Sequence, residues 1–247
     1  MNFQDYNTLL LGEEGVDILR QLRFMVVGLG GLGSFVAQEL VRLGAKNLLL
    51  VDNDRVDRSN LNRQILYDQS DVGKSKAFVA AKKLKKISPD IKVEAFDTRL
   101  NKVNGGYLVS RCDIVLDCTD NFETKKLLNK LCYKAEKGLI SAGVGSWEGW
   151  VASFPFFKKE TQEVPCLECL FPGNTETLGG GDLNLPTAIT TVAVIGSIQV
   201  QEVINLVTGK GENLEGKTLV VDLRNYQCVP IKFSKNPQCS VCSSVAV

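Results

Sequence analysis

The sequence contains no histidine. That excludes an imidazole general base, a Ser-His-Asp or Cys-His nucleophile pair and a histidine-rich metal site. It also lacks a charge imbalance, because 29 Lys and Arg stand against 28 Asp and Glu for a net charge of +1. Neither nucleic acid nor an anionic membrane surface is expected as a partner on that basis. No uninterrupted apolar run reaches about 18 residues, so no membrane span is expected. The polar, acidic start MNFQDYNTLLLGEEG is unlike a basic segment leading into an apolar one, and the expected location is the cytoplasm. There is no internal repeat and no linker between domains. A chain of 247 residues can bury roughly 70–75% of its unfolded surface, and one domain over 1–247 is the expectation.

What is present reads as alternating strands and helices after an N-terminal helical segment, 1–22. RFMVVG (23–28) is short, apolar and glycine-bounded, like a parallel strand buried on both faces. A glycine-rich turn (28–33) follows, then a helical pattern to Gly44 and a second strand, NLLLVD (47–52), completing a βαβ unit. Residues 53–73 are irregular, 74–89 form a basic amphipathic helix, 91–97 and 113–118 are strands, and 121–138 is helical. WEGWVASFPFF (147–157) alternates and predicts an antiparallel extension of the sheet. Residues 158–185 predict a mobile crossover loop. Pro186 is placed to begin a deeply packed helix, and strands at 217–223 and 228–233 lead to a cysteine-bearing tail. The fold class is therefore α/β and Rossmann-like: a mainly parallel sheet with helices on both faces and an antiparallel C-terminal extension. A first half over 23–145 is set against a differently built second half, 146–247.

Gly28, Gly30 and Gly33 fit G-x-G-x-x-G, whose missing side chains permit a tight turn, close phosphate approach and close helix packing. Asp52 ends the second strand about 20 residues further on, where a carboxylate accepts ribose hydroxyls. A packing turn explains the glycines alone, and the pattern does not separate NAD from ATP. SNLNRQ (59–64), VGKSK (72–76) and DCTDN (117–121) favour a triphosphate. Arg63 offers a forked guanidinium, Lys76 a point charge near a helix start, and Asp120 a carboxylate suited to Mg²⁺. Taken singly, Arg63 and Lys76 read equally well as solvated charges and Asp120 as a helix N-cap.

Eight cysteines are present. Cys166-Leu-Glu-Cys169 and Cys239-Ser-Val-Cys242 are two CxxC pairs with the spacing of a single tetrahedral four-cysteine zinc site, structural because four thiolates leave no position for water. A redox pair is the competing reading. Cys112, Cys118, Cys132 and Cys228 are expected to be core residues.

Together, GLGGLG, Asp52, SNLNRQ, VGxxK, TDN and the paired CxxC motifs resemble the MoeB/ThiF family, relatives of the ubiquitin-activating enzymes, from about Met25 to Cys242. The resemblance implies an ATP-dependent adenylyltransferase acting as a homodimer. Its substrate would be the C-terminal Gly-Gly carboxylate of a ubiquitin-like sulfur-carrier protein, making 146–247 the carrier-binding half. It also implies that Gly31 approaches the phosphates, that Asn60, Arg63 and Lys76 hold the triphosphate beside Gln64, and that Asp120 holds Mg²⁺ with Asn121 adjacent. A carboxylate nucleophile arrives ionised, so no general base is needed. The chain departs from the family at two points. Tyr6-Asn7-Thr8-Leu9 lacks the arginine that the family sends to the neighbouring subunit's ATP, with Arg20 and Arg23 the nearest substitutes. Asp182 stands where many relatives carry a loop cysteine, so adenylation without a thioester is expected. The alternatives are a non-catalytic zinc-stabilised nucleotide-binding scaffold, adenylation of a different carboxylate, and an NAD-dependent oxidoreductase.

Overall fold

A computed structural model of the chain describes residues 3–157, 164–173 and 186–243. The strands are β1 (Arg23–Val27), β2 (Asn47–Asp52), β3 (Lys92–Asp97), β4 (Ile114–Asp117), β5 (Gly138–Gly145), β6 (Glu148–Pro155), β7 (Lys217–Asp222) and β8 (Gln227–Lys232). They form one sheet in the order β3-β2-β1-β4-β5-β6-β7-β8. The first five strands run parallel and the last three pairings are antiparallel. The helices are α1 (Phe3–Gln21), α2 (Gly31–Leu43), α3 (Lys76–Ile87), α4 (Gly105–Ser110), α5 (Phe122–Lys134), α6 (Leu167–Leu170) and α7 (Ile189–Thr208).

Both faces of β1, β2, β4 and β5 are largely buried, as their apolar runs require, while β3 (KVEAFD) is a half-exposed edge strand. In β1, Phe24 and Val26 enter one core with α2, α3 and α7, while Met25 and Val27 enter the opposite core with α4, α5 and the cysteine-bearing segments. Because β1 pairs with both β2 and β4, the connections on its two sides leave in opposite directions. That opens a crevice at the carboxyl ends of these strands, the topological switch point.

The turn after β1 depends on two glycines. Gly28 has φ +85, and a Cβ there would lie 2.8 Å from the Cys118 carbonyl oxygen. A Cβ on Gly33 would lie 1.9 Å from the Gly28 carbonyl oxygen, so α2 starts against the turn itself. At the other end of α2, Gly44 closes the helix at φ 112 with its N–H returned to Leu40 and Val41.

The structure revises several expectations. The helix after Pro186 starts at Ile189, with extended Ala188 as its N-cap. The short α4 interrupts the stretch before β4, where no element was expected: six residues are too few to show a helical period. Within 158–185, residues 164–173 form an ordered turn containing α6, while 158–163 and 174–185, with Asp182, lie outside the described residues. Cys112, Cys118 and Cys132 are buried but Cys228 is exposed, since β8 is the sheet's open edge. By length and composition α7 is apolar enough to cross a membrane; here it packs on α2, β5 and β6.

Gly33→Ala should destabilise the chain by about 3 kcal/mol or more, because backbone rather than a flexible side chain must yield. Gly106→Ala in α4, where an added Cβ meets nothing within 4 Å, should be neutral or stabilise by up to about 1 kcal/mol. Thermal unfolding of the two variants checks the contrast.

Candidate functional site

One cleft of ≈ 1590 Å³ opens at the switch point, and its walls include Gly28, Gly30, Gly31, Asp52, Asn60, Arg63, Gln64, Lys76, Asp120 and Asn121. Ten of the eleven residues expected to hold the nucleotide therefore meet in one place. Gly33 is the exception, lying beneath the turn against Gly28, so its role is packing. Gly31 lines the cleft and also permits the close approach of α7, since a Cβ there would meet Val192 Cγ1 at 2.9 Å. Gly30 has room, with Gln64 Nε2 the nearest atom at 3.6 Å. No protein neighbour crowds that position, which leaves space for a ligand to approach the backbone.

The irregular stretch after β2 folds over this turn in two 3-10 turns, capped by Asp57 and Asp68. Tyr67 Oη donates to the Leu29 carbonyl at 2.9 Å, pinning the stretch to the glycine loop. Asp52 accepts from the N–H groups of Leu29 (2.6 Å) and Asp54 (2.7 Å). Burial lifts its carboxyl above the usual carboxylate range, against those two donors. Its remaining lone pairs suit hydroxyl donors such as ribose. Gln64 is buried with Oε1 unpartnered, an unmet acceptor beneath the loop that a ligand donor or water would satisfy.

Lys76 opens α3, buried, with its Nζ 2.9 Å from the exposed Asp54. Arg63 is half-buried and donates to the Ser59 carbonyl (3.3 Å) and Asn62 Oδ1 (2.9 Å), forming no ion pair among the described residues. Its charge is uncommitted. Asp120 is exposed and accepts from Asn121 Nδ2 at 3.3 Å. The cap of α5 is Asn121, whose Oδ1 accepts the Thr124 N–H at 2.9 Å. Asp120 is thereby freed from the capping role, and its carboxylate suits a hard cation such as Mg²⁺.

Sequence reasoning missed the cleft floor. Asp117 is fully buried and accepts from Lys125 Nζ (3.2 Å), Ser141 Oγ (2.6 Å) and the Thr119 hydroxyl (2.7 Å). Lys125 also donates to the Ala142 carbonyl at 2.6 Å and lies 5.6 Å from the Trp150 ring centre. Gln199, buried on α7, donates to the carbonyls of Asp117 (3.1 Å) and Ile140 (3.3 Å). The available signal was the acid closing the apolar run DIVLDC, which needs a partner if the strand is buried.

The four expected metal ligands also converge: the Sγ atoms of Cys166, Cys169, Cys239 and Cys242 all lie within 4.8 Å of one another. Two of the spacings are 3.6 and 3.4 Å, against about 3.8 Å for sulfurs of a tetrahedral site with Zn–S of about 2.3 Å. Asn129 Nδ2 donates to Cys166 Sγ (3.4 Å), and the N–H groups of Asn236 and Val241 donate to Cys169 (3.3 Å) and Cys239 (3.5 Å). Donors aimed at sulfur suit thiolates bound to a metal. Burial pushes the Cys112 thiol up to about 12 and also raises Cys118 and Cys132, which suits inert core groups. Arg20 pairs with Asp17, and Arg23 forks onto Asp113 at the amino end of β1, away from the cleft.

A glycine turn at a switch point, a ribose-type acid and clustered cations define an α/β protein of the nucleotide-binding class, with a four-cysteine cluster that could hold a metal ion. The ThiF family model matches residues 4–241, and the chain belongs to the ThiF family. It is 35% identical over 234 residues to the sulfur carrier protein adenylyltransferase of Thermus thermophilus, covering 94% of this chain and 86% of that protein. It is 34% identical over 232 residues to the molybdopterin-synthase adenylyltransferase of Escherichia coli, covering 93% and 90%. Among solved structures, E. coli MccB with ATP superposes with a TM-score of 0.84 at 23% identity, covering 98% of this chain and 74% of that one. At that identity the likeness speaks for the fold.

Lys125→Met should cost about 3–5 kcal/mol by leaving Asp117 buried and uncompensated. Adding Asp117→Asn should recover part of that loss, as read from denaturant midpoints.

Proposed function

We propose that the chain is an ATP-dependent adenylyltransferase that activates the C-terminal Gly-Gly carboxylate of a ubiquitin-like sulfur-carrier protein. The observation that carries this reading is the convergence of Asp52, Arg63, Lys76 and Asp120, distant in sequence, on one cleft at the switch point of a ThiF-family chain. The names of its relatives, which activate sulfur carriers or molybdopterin synthase, support the substrate class.

In this reading Asp52 orients the ribose, the loop at Gly28–Gly31 lies along the phosphates, and Arg63 and Lys76 neutralise the triphosphate. The carrier's ionised carboxylate oxygen attacks the α-phosphorus. The bond from that phosphorus to the bridging oxygen of the β-phosphate breaks, and pyrophosphate leaves with the electron pair. No proton moves, so a chain without histidine loses nothing. Asp120 would hold Mg²⁺, which when bound offsets charge on the phosphate oxygens. Cys166, Cys169, Cys239 and Cys242 would hold a structural Zn²⁺. The acyl tail would enter along the antiparallel half, where Trp150, Val220, Ile231 and Phe233 line the cleft.

Two further parts of the reading are a homodimer and a cytoplasmic location. Tyr6, Leu9 and Leu10, exposed at i, i+3 and i+4 on α1, favour an apolar contact. Eight free cysteines suit a reducing compartment. Arg23 is committed to Asp113, so adenylation proceeds without it as a trans cation.

ATP–pyrophosphate exchange should appear on adding a carrier that ends in Gly-Gly. Asp120→Ala should lower it by about 10²–10³-fold with fold and zinc content intact. Gly30→Ala should fold normally yet weaken ATP binding at least about tenfold, or about 1.4 kcal/mol. Absence of exchange with every Gly-Gly carrier of the same genome would sink the reading.

A further inference from the structure

Helix α5 carries Asn121, Lys125, Asn129 and Tyr133 at successive i, i+4 positions, a single ridge along one face. Each holds a different part of the molecule. Asn121 caps the helix beside Asp120 at the cleft. Lys125 grips Asp117 and the Ala142 carbonyl on the cleft floor. Asn129 is fully buried with both ends of its amide committed to the metal knuckle: Nδ2 donates to Cys166 Sγ at 3.4 Å, and Oδ1 accepts the Leu167 N–H at 3.1 Å. Tyr133 Oη donates to the Cys242 carbonyl at 3.4 Å. A second contact runs in the same direction. Phe171, just past Cys169, meets Phe122 of α5 edge-on at 5.4 Å and Trp150 at 4.8 Å, and with Leu170 it forms part of the cleft wall.

We propose that the four-cysteine metal centre sets the geometry of the nucleotide cleft through α5, with Asn129 as the positioning residue that transmits it. Metal and nucleotide binding are then thermodynamically linked. The linkage rests on the nucleotide-binding reading above. A metal fixes Cys166 Sγ and the first residue of α6, the two groups that Asn129 holds. Eight residues of rigid helix, about 12 Å, carry that position to Asn121 and the neighbouring Asp120. Without a metal the two CxxC segments meet each other through sulfur contacts at 3.6 and 3.4 Å, so the position of Cys166 that Asn129 reads is less firmly set, and with it the placement of α5 beyond its Lys125 anchor. Linkage is reciprocal, so nucleotide in turn tightens the metal's hold and alters its coordination.

The test uses purified full-length chain loaded with one zinc or one cobalt(II), with Mg-ATP as the probe. Calorimetry should show that stripping the metal from the wild type weakens ATP by about tenfold, within the usual range of site–site couplings. In Asn129→Leu that still holds one metal per chain, ATP should be weakened by a similar factor, and stripping the metal should then change little more. In the cobalt-loaded wild type, ATP should shift the visible cobalt–thiolate band, and in cobalt-loaded Asn129→Leu it should not. Unchanged ATP affinity in stripped wild type that remains folded by circular dichroism would overturn the linkage. So would an Asn129→Leu chain that keeps the full metal effect. If the stripped protein unfolds, the cobalt band decides, and a band indifferent to ATP overturns the proposal. A metal-loaded wild type that binds no ATP removes both readings together, whereas ATP binding indifferent to the metal and to Asn129 removes the linkage alone.

Discussion

The buried pair of Asp117 and Lys125 is the constraint to which the two halves of this molecule are fitted. Asp117 ends β4, the strand beside the glycine turn, and Lys125 belongs to the helix that leaves the same cleft. Two charges taken out of water are tolerated only when every lone pair and proton is used. Here Ser141 and Ala142 from β5, Thr119 from the loop and the Trp150 ring complete the set. Because the set draws on β4, β5, α5 and β6, it fixes the point where the parallel sheet gives way to the antiparallel one. The loop carrying Asp120 and Asn121 spans the gap between the two partners.

The antiparallel half then has a defined position from which to build the rest of the cleft. Gly143 allows the Trp150 indole to lie against its backbone, since a Cβ there would meet Nε1 at 2.4 Å. Trp150 in turn supports Phe171, which the cysteine knuckle presents. The four-cysteine cluster thus adjoins the cleft through Leu170 and Phe171 rather than lying remote from it between a loop and the tail. It is held beside the cleft by the packing of α6 on α5 and of Phe171 on Trp150.

The sequence made local features legible and contacts between distant elements illegible. The βαβ unit, the glycine turn, the ribose-type acid and the two CxxC pairs are readable because each depends on spacing within one segment or on a residue type with few alternative uses. The gathering of Arg63, Lys76 and Asp120 was suggested by residue chemistry, and the structure supplies the single cleft that joins them. Lys125 was hidden because a lysine in KKLLNKLCYK looks like any solvated helix charge. What buries it is Asp117, eight residues earlier on another element. Asn129 was hidden for the same reason, its partner being a cysteine 37 residues further on. Gly31 has a second reason to lack a side chain, the approach of Val192, which nothing near it in sequence reveals. Cys228 was misread because nothing local marks β8 as the open edge.

The distribution of charge around the cleft decides which cation acts on a polyphosphate. Lys125 is matched to Asp117 within the floor, and Lys76 is matched to Asp54. Arg55 and Arg99 face Asp97 and Glu123 in exposed pairs at 3.5 and 3.4 Å, pairings of little strength that a phosphate would displace. Among the described residues Arg63 has only neutral oxygens as acceptors. In the proposed reading a triphosphate would find a guanidinium without a charged partner among the described residues, a lysine shared with Asp54, and an exposed carboxylate at Asp120 that a divalent cation would screen. In that reading, this arrangement of charge would favour the metal complex of a nucleotide over the free anion.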